Sequence, residues 1–217
     1  DVMVIATTAV REAGNRDIFS DTVLRKTGFK VDVLNVGDVV YYIDGFLSHK
    51  LKKAYPIHQK NVLIAELGAG SLDISVMERG VTLMNVGVPM GTLRLKQFMS
   101  RLDGSMEEIY AAVGEYVAND LLYVKKMAPR LTLDDVIVID ENYSAYLQNL
   151  IPSRKRESNF FQFRLAESEM LLAKLTESNP EAVAHTYKIP SEVAETMVGY
   201  ALVLNKIFHL TKNKYIY

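Results

Sequence analysis

The run Glu66-Leu67-Gly68-Ala69-Gly70-Ser71-Leu72-Asp73 sets two glycines and a serine between two carboxylates. The chemistry they suggest is the binding of a phosphate. Lacking a Cβ, Gly68 and Gly70 let the backbone take left-handed angles and let an anion approach the N–H groups closely, and Ser71 adds a hydroxyl donor. Glu66, at the end of the preceding apolar run, could hold a cation or a water beside that anion. The same residues also fit a plain glycine hairpin turn. Taken alone, the pattern leaves both readings open.

Such a turn needs strands to hold it. The segments 61–67, 72–78 and 81–87 read as three strands, with Glu78-Arg79-Gly80 as the second turn and Pro89-Met90-Gly91 as the exit, so two hairpins make an antiparallel meander. Upstream, Val2–Ala6 is a continuous apolar strand, Asn15 caps a helix over 16–26, Gly28 ends it, and Phe29–Leu34 alternates as a strand. A helix from Asp38 to Leu51 follows, and the Pro56 segment marks a lobe boundary between residues 1–55 and 60–217.

Downstream, Thr92–Met99 and Met106–Met127 read as helices, the second presenting Ile109, Val113, Tyr116, Val117, Leu121 and Val124 on one face. Val136–Ile139 is a buried strand, Asn142–Leu150 a helix and Pro152–Ser158 a polar, basic loop. Helices over 167–175 and 191–210, the latter capped by Ser191, and a strand at Tyr215–Tyr217 complete the expected order.

The chain has 217 residues, 49% hydrophobic and 24% charged, enough for one large domain or two small lobes. No apolar run reaches the ~18 residues of a membrane span, and the absence of cysteine excludes disulfides and thiolate zinc sites, which is compatible with a cytoplasmic location. The four histidines show no metal-ligand spacing, and His209 between Phe208 and Leu210 reads as a packing residue. A net charge of −1 argues against a general nucleic-acid binder. The lysines at 50, 52, 53 and 60 and the Arg154-Lys155-Arg156 run could steer a polyanion or simply be solvated. The chain opens on Asp1 rather than Met, inside an apolar run, and reads as a fragment.

Three ordered segments carry a resemblance. Ile5-Ala-Thr-Thr8-Ala-Val-Arg11-Glu-Ala-Gly-Asn15, Glu66-Leu-Gly-Ala-Gly-Ser71-Leu-Asp73 and Val88-Pro-Met-Gly91-Thr-Leu-Arg94-Leu resemble signatures of the exopolyphosphatase/guanosine pentaphosphate phosphohydrolase (Ppx/GppA) family. The resemblance implies an α/β, ribonuclease H-like fold of the actin-like ATPase type, with a mixed sheet, helices and two lobes around a cleft. It also implies a glutamate-activated water attacking a terminal phosphate of polyphosphate or a guanosine polyphosphate, usually with Mg2+. Carried over by position, Thr8, Arg11, Gly68, Ala69, Gly70 and Ser71 would bind phosphate, and Glu66 would stand at the metal- or water-linked carboxylate. Family members commonly form homodimers, which makes a homodimer one expectation for this chain.

The departures bear on catalysis. Where the family has its general base, Asn35-Val-Gly-Asp38-Val39 places Val39, which cannot take a proton, and puts Asp38 one residue early, a turn of ~100° on a helix. The family's glycine turn after its next parallel strand falls at Asp140-Glu141-Asn142-Tyr143, where two carboxylates would repel phosphate. Two readings therefore stand. One is a phosphoanhydride hydrolase in which Asp38 or Glu66 acts as base; the other is a relative with impaired or lost catalysis that keeps the fold as a binding or regulatory module.

Overall fold

The computed structural model describes residues 2–50, 55–127, 132–151, 162–213 and 215–217. It divides into two compact units, Asp1–Ile57 and His58–Tyr217. The basic run at 154–156 lies outside the described residues, as do Lys52 and Lys53.

In the first unit, β1 (Val4–Ala6) leads into a single helical turn, α1 (Thr8–Arg11), then α2 (Arg16–Thr27), β2 (Val31–Val33) and α3 (Val36–Lys50). The two strands are parallel, with Val4 opposite Val31 and Ala6 opposite Val33. Gly28 ends α2 at φ 77° with its N–H on the Leu24 carbonyl, a left-handed position that costs glycine little. Asn15 stands at the N-cap of α2 without a side-chain cap bond. The helix expected from Asp38 begins two residues earlier. Asn35 Oδ1 accepts the Asp38 N–H at 3.0 Å while Asp38 Oδ2 accepts the Asn35 N–H at 2.9 Å, a reciprocal capping box that fixes the start of α3.

The second unit begins with β3 (Asn61–Leu67), β4 (Leu72–Glu78) and β5 (Val81–Val88), the expected meander. Arg79 and Gly80, at φ 49° and 84°, make the tight turn between β4 and β5. Then come α4 (Thr92–Met99), α5 (Met106–Met127), β6 (Asp135–Asp140), α6 (Tyr143–Leu150), β7 (Phe163–Arg164), α7 (Leu165–Thr176), α8 (Pro180–Tyr187), α9 (Ser191–Thr211) and β8 (Tyr215–Ile216). The sheet runs β5-β4-β3-β6-β8-β7, with β3, β6 and β8 parallel to one another. This is a mixed α/β sheet whose antiparallel meander abuts a parallel strand.

Two differences from the sequence reading have local causes. Helix α8 falls in a stretch with no expected element. Asn179 Oδ1 caps it by accepting the Ala182 N–H at 2.8 Å, and Pro180 opens its first turn, where a missing N–H costs nothing. At α9 the capping position falls on Pro190 and Ser191 is already helical.

The core sits between the sheet and α9. That helix is apolar nearly all round, from Ala194 through Phe208, and packs against α4, α5, α6, α7 and α8, as a central buried helix should. On α5 the expected face is buried at Ile109, Val113, Val117 and Leu121. Among the described residues, no helix is long and apolar enough to cross a membrane.

Candidate phosphate site

The Gly68–Ser71 loop joins β3 to β4 and is closed by the Gly68 N–H donating to the Ser71 carbonyl at 3.0 Å. Its carbonyls are held from one side by the start of α4. The Thr92 N–H donates to Gly68 O at 3.0 Å, and the N–H groups of Leu93 and Arg94 converge on Ala69 O at 3.0 and 3.4 Å. In a planar trans peptide the N–H lies opposite the C=O. The N–H groups of Ala69 and Gly70 therefore point away from α4. Among the described residues neither donates to a backbone carbonyl, so the loop offers two outward N–H groups to an anion.

The expected left-handed glycines are not the reason for this loop's composition. Among the described glycines, positive φ occurs at Gly28, Gly80 and Gly104, not at Gly68 or Gly70. Close approach matters instead, and it falls on a residue the sequence reading did not place in the site. A Cβ on Gly91, the residue before α4, would lie 2.1 Å from Ala69 O and 2.3 Å from Gly70 N. Only glycine lets α4 seat its first N–H groups on the loop.

Carboxylates also lie close to the loop. Glu66 stands opposite Asp73 in the β3–β4 register, which puts both side chains on one sheet face with Cβ atoms roughly 5 Å apart. A Cβ on Gly68 would lie 3.5 Å from Glu141 Oε1 and 3.8 Å from Glu66 Oε1, so these two acids flank the same residue. Asp73 was legible only in the pairing, since it and Glu66 are equidistant from the turn. Buried Ser71 donates its Oγ–H to Asp73 Oδ2 at 3.1 Å. Among the described residues, no group of three or more acids or histidines has the geometry of a metal cage.

Of the two acids that end β6 and begin the next turn, only Glu141 faces the loop. Asp140 instead accepts the Ser144 N–H at 3.1 Å, the Ser144 hydroxyl at 3.2 Å and the Tyr200 hydroxyl at 2.9 Å. Desolvation by complete burial, with the Asp140 charge beside it, pushes the Tyr200 hydroxyl well above its ordinary range and keeps it a neutral donor. Tyr200 stacks on Tyr143 at 4.7 Å between ring centres, and Tyr143 Oη donates to Thr92 Oγ1 at 2.9 Å and shares a 2.7 Å bond with Thr196. This buried network ties β6, α9 and the first residue of α4 together behind the loop. Asn142, at φ 87°, takes the left-handed position in the turn, one that asparagine tolerates better than most residues.

In the first unit, Thr8, Arg11 and Asp38 lie at the C-terminal ends of the two parallel strands, where α/β folds place ligands. Arg11 donates Nη1 to Leu34 O at 3.0 Å and Nη2 to Thr8 Oγ1 at 3.1 Å, so its guanidinium is oriented by the end of β2 and by the residue expected to act with it. Asp38, in the capping box beside Leu34, spends one carboxylate oxygen on the Asn35 N–H.

An antiparallel meander abutting a parallel strand, with a glycine loop at the C-terminal end of β3, is the sheet arrangement of a ribonuclease H-like fold of the actin-like ATPase class. Within that class the chain belongs to the Ppx/GppA phosphatase family, whose model matches residues 1–216. No curated protein matches it in sequence. An exopolyphosphatase from Cytophaga hutchinsonii superposes with a TM-score of 0.81 at 16% identity, covering 99% of this chain and 69% of the other. The Aquifex aeolicus Ppx/GppA family member gives 0.79 at 16%, covering 99% and 68%. An exopolyphosphatase-like protein gives 0.78 at 15%, covering 100% and 72%. At these identities the likeness speaks for the fold.

Proposed function

We propose that this chain is a phosphate-chain-binding member of the Ppx/GppA phosphatase family, taking polyphosphate or a guanosine polyphosphate, with hydrolysis impaired or lost. The observation that carries the reading is the pair of Ala69 and Gly70 N–H groups turned away from α4. Thr8 and Arg11 would grip phosphate oxygens, the arginine by its planar fork. The oxygen donors of Glu66 and Asp73 suit Mg2+, which commonly takes one or two carboxylates and completes its shell with phosphate and water. When bound, the ion would neutralise charge on the phosphate.

Loss of turnover follows from the residues available as base. Val39 has no proton acceptor, and Asp38 gives one carboxylate oxygen to the capping box at the start of α3. Glu66 remains the one carboxylate placed beside the loop at the family's acidic position, and Glu141 adds a like charge that raises the cost of bringing in phosphate. The alternative of an active hydrolase rests on Glu66 as base. Calorimetric titration with polyphosphate and guanosine tetraphosphate, with a malachite-green assay on the same protein, separates the two. Phosphate release that disappears in Glu66→Gln would reject the silent reading.

A further inference from the structure

The second unit carries another cleft of about 640 Å³, bounded by the start of α7, the end of α9 and β8. Its walls include Arg164, Ala166, His209, Lys212, Asn213 and Tyr215, and among the described residues none that lines it is acidic. It lies at the opposite end of the sheet from the glycine loop. Asn213 Nδ2 donates to Asp134 O, next to the first residue of β6, and Ile216 pairs with Val136, whereas the loop stands beside the last residues of that strand. The two places are separated by the length of β6, roughly 16 Å at 3.3 Å per residue.

Folding explains part of this charge and not the rest. His209 and Lys212 lie at the C-terminus of α9, where cations offset the helix dipole. Contrary to the packing role expected for it, His209 is exposed. Arg164, however, occupies the N-cap of α7, a position that favours Ser, Thr, Asp or Asn and where the dipole disfavours a cation. Its guanidinium sits 5.9 Å from the centre of the Tyr215 ring, which orients it along the cleft wall. Glu167, on the first turn of α7, accepts the Arg164 backbone N–H at 2.8 Å. Two permanent cations and an imidazole thus face one open cleft, contributed by two helices whose ends need not have met.

We infer that this cleft is a second anion site, one that binds a phosphate chain, free or carried on a nucleotide, without performing chemistry on it. The volume lies in the range of small-molecule sites. Among the described residues no carboxylate lines it to activate a water, so binding there would tether or regulate.

Hydrogen–deuterium exchange with saturating sodium tripolyphosphate, and separately with GTP, tests this. Exchange over residues 162–168 and 207–216 should slow by about threefold or more. The effect should vanish in Arg164→Gln/Lys212→Asn, in which Asn keeps the left-handed cap that Lys212 makes at φ 59°. Slowing with tripolyphosphate identifies the phosphate chain as sufficient, and slowing with GTP alone identifies a nucleotide as the source. Unchanged exchange in these segments with both probes, or slowing that survives in the double variant, overturns the site. Protection over 66–71 reports separately on the glycine loop. If the double variant unfolds, the single Lys212→Asn protein should show partial loss, and full protection in it rejects the assignment.

Discussion

Gly91 is the residue that best explains why the third family-like segment has its composition. Its missing Cβ leaves room for the carbonyl of Ala69, and through it for the N–H groups of α4 to hold the loop. Gly91→Ala places a methyl group against backbone that cannot swing aside, so it should lower stability by about 2–3 kcal/mol, read from urea unfolding, and weaken tripolyphosphate binding in the folded fraction. Val39 makes the converse case. If only the base is missing, Val39→Glu should raise phosphate release above that of the parent protein, read by the malachite-green assay, with binding little changed. No increase would mean that the loss runs deeper than one side chain.

At the scale of elements, the loop is positioned by α4, and α4 in turn by the Tyr143–Tyr200–Asp140 network. Tyr200 has a folded-state pKa raised above its unfolded value of about 10. Its contribution is therefore fully present below pH 10 and falls as pH rises from there towards the folded value, because the unfolded chain releases the proton first. Tyr200→Phe should flatten the decline in stability above pH 10, measured by denaturant unfolding at several alkaline pH values. It should also cost about 1–3 kcal/mol at neutral pH by removing a donor from Asp140. Lys60 adds to the same alkaline decline, since its hydrogen bond to Asp135 raises it too. Every strand but the two-residue β7, and most helices, were legible from alternation, period and capping residues. Helix α8 also had its signal in Asn179-Pro180. The Tyr200 network had none, because residues 60 apart meet only once the sheet and α9 are packed.

At the scale of the whole molecule, each unit presents candidate residues at the C-terminal ends of its parallel strands. The family was legible because its motifs are backbone requirements: a loop with outward N–H groups, a glycine under it and an arginine tied to a strand end. Site chemistry was less legible. Position put Asp38 near the base and Ser71 among the donors; what it could not show is that Asp38 gives one carboxylate oxygen to a helix cap and that Ser71 donates to Asp73. The central claim is binding without turnover. The direct measurement is calorimetric titration with polyphosphate in the presence of magnesium, with released phosphate assayed in the same cell. Saturable binding weakened about tenfold or more by Arg11→Ala, with no phosphate above the protein-free control, is the predicted result. Sustained release that Glu66→Gln abolishes, or no binding at all, would contradict it.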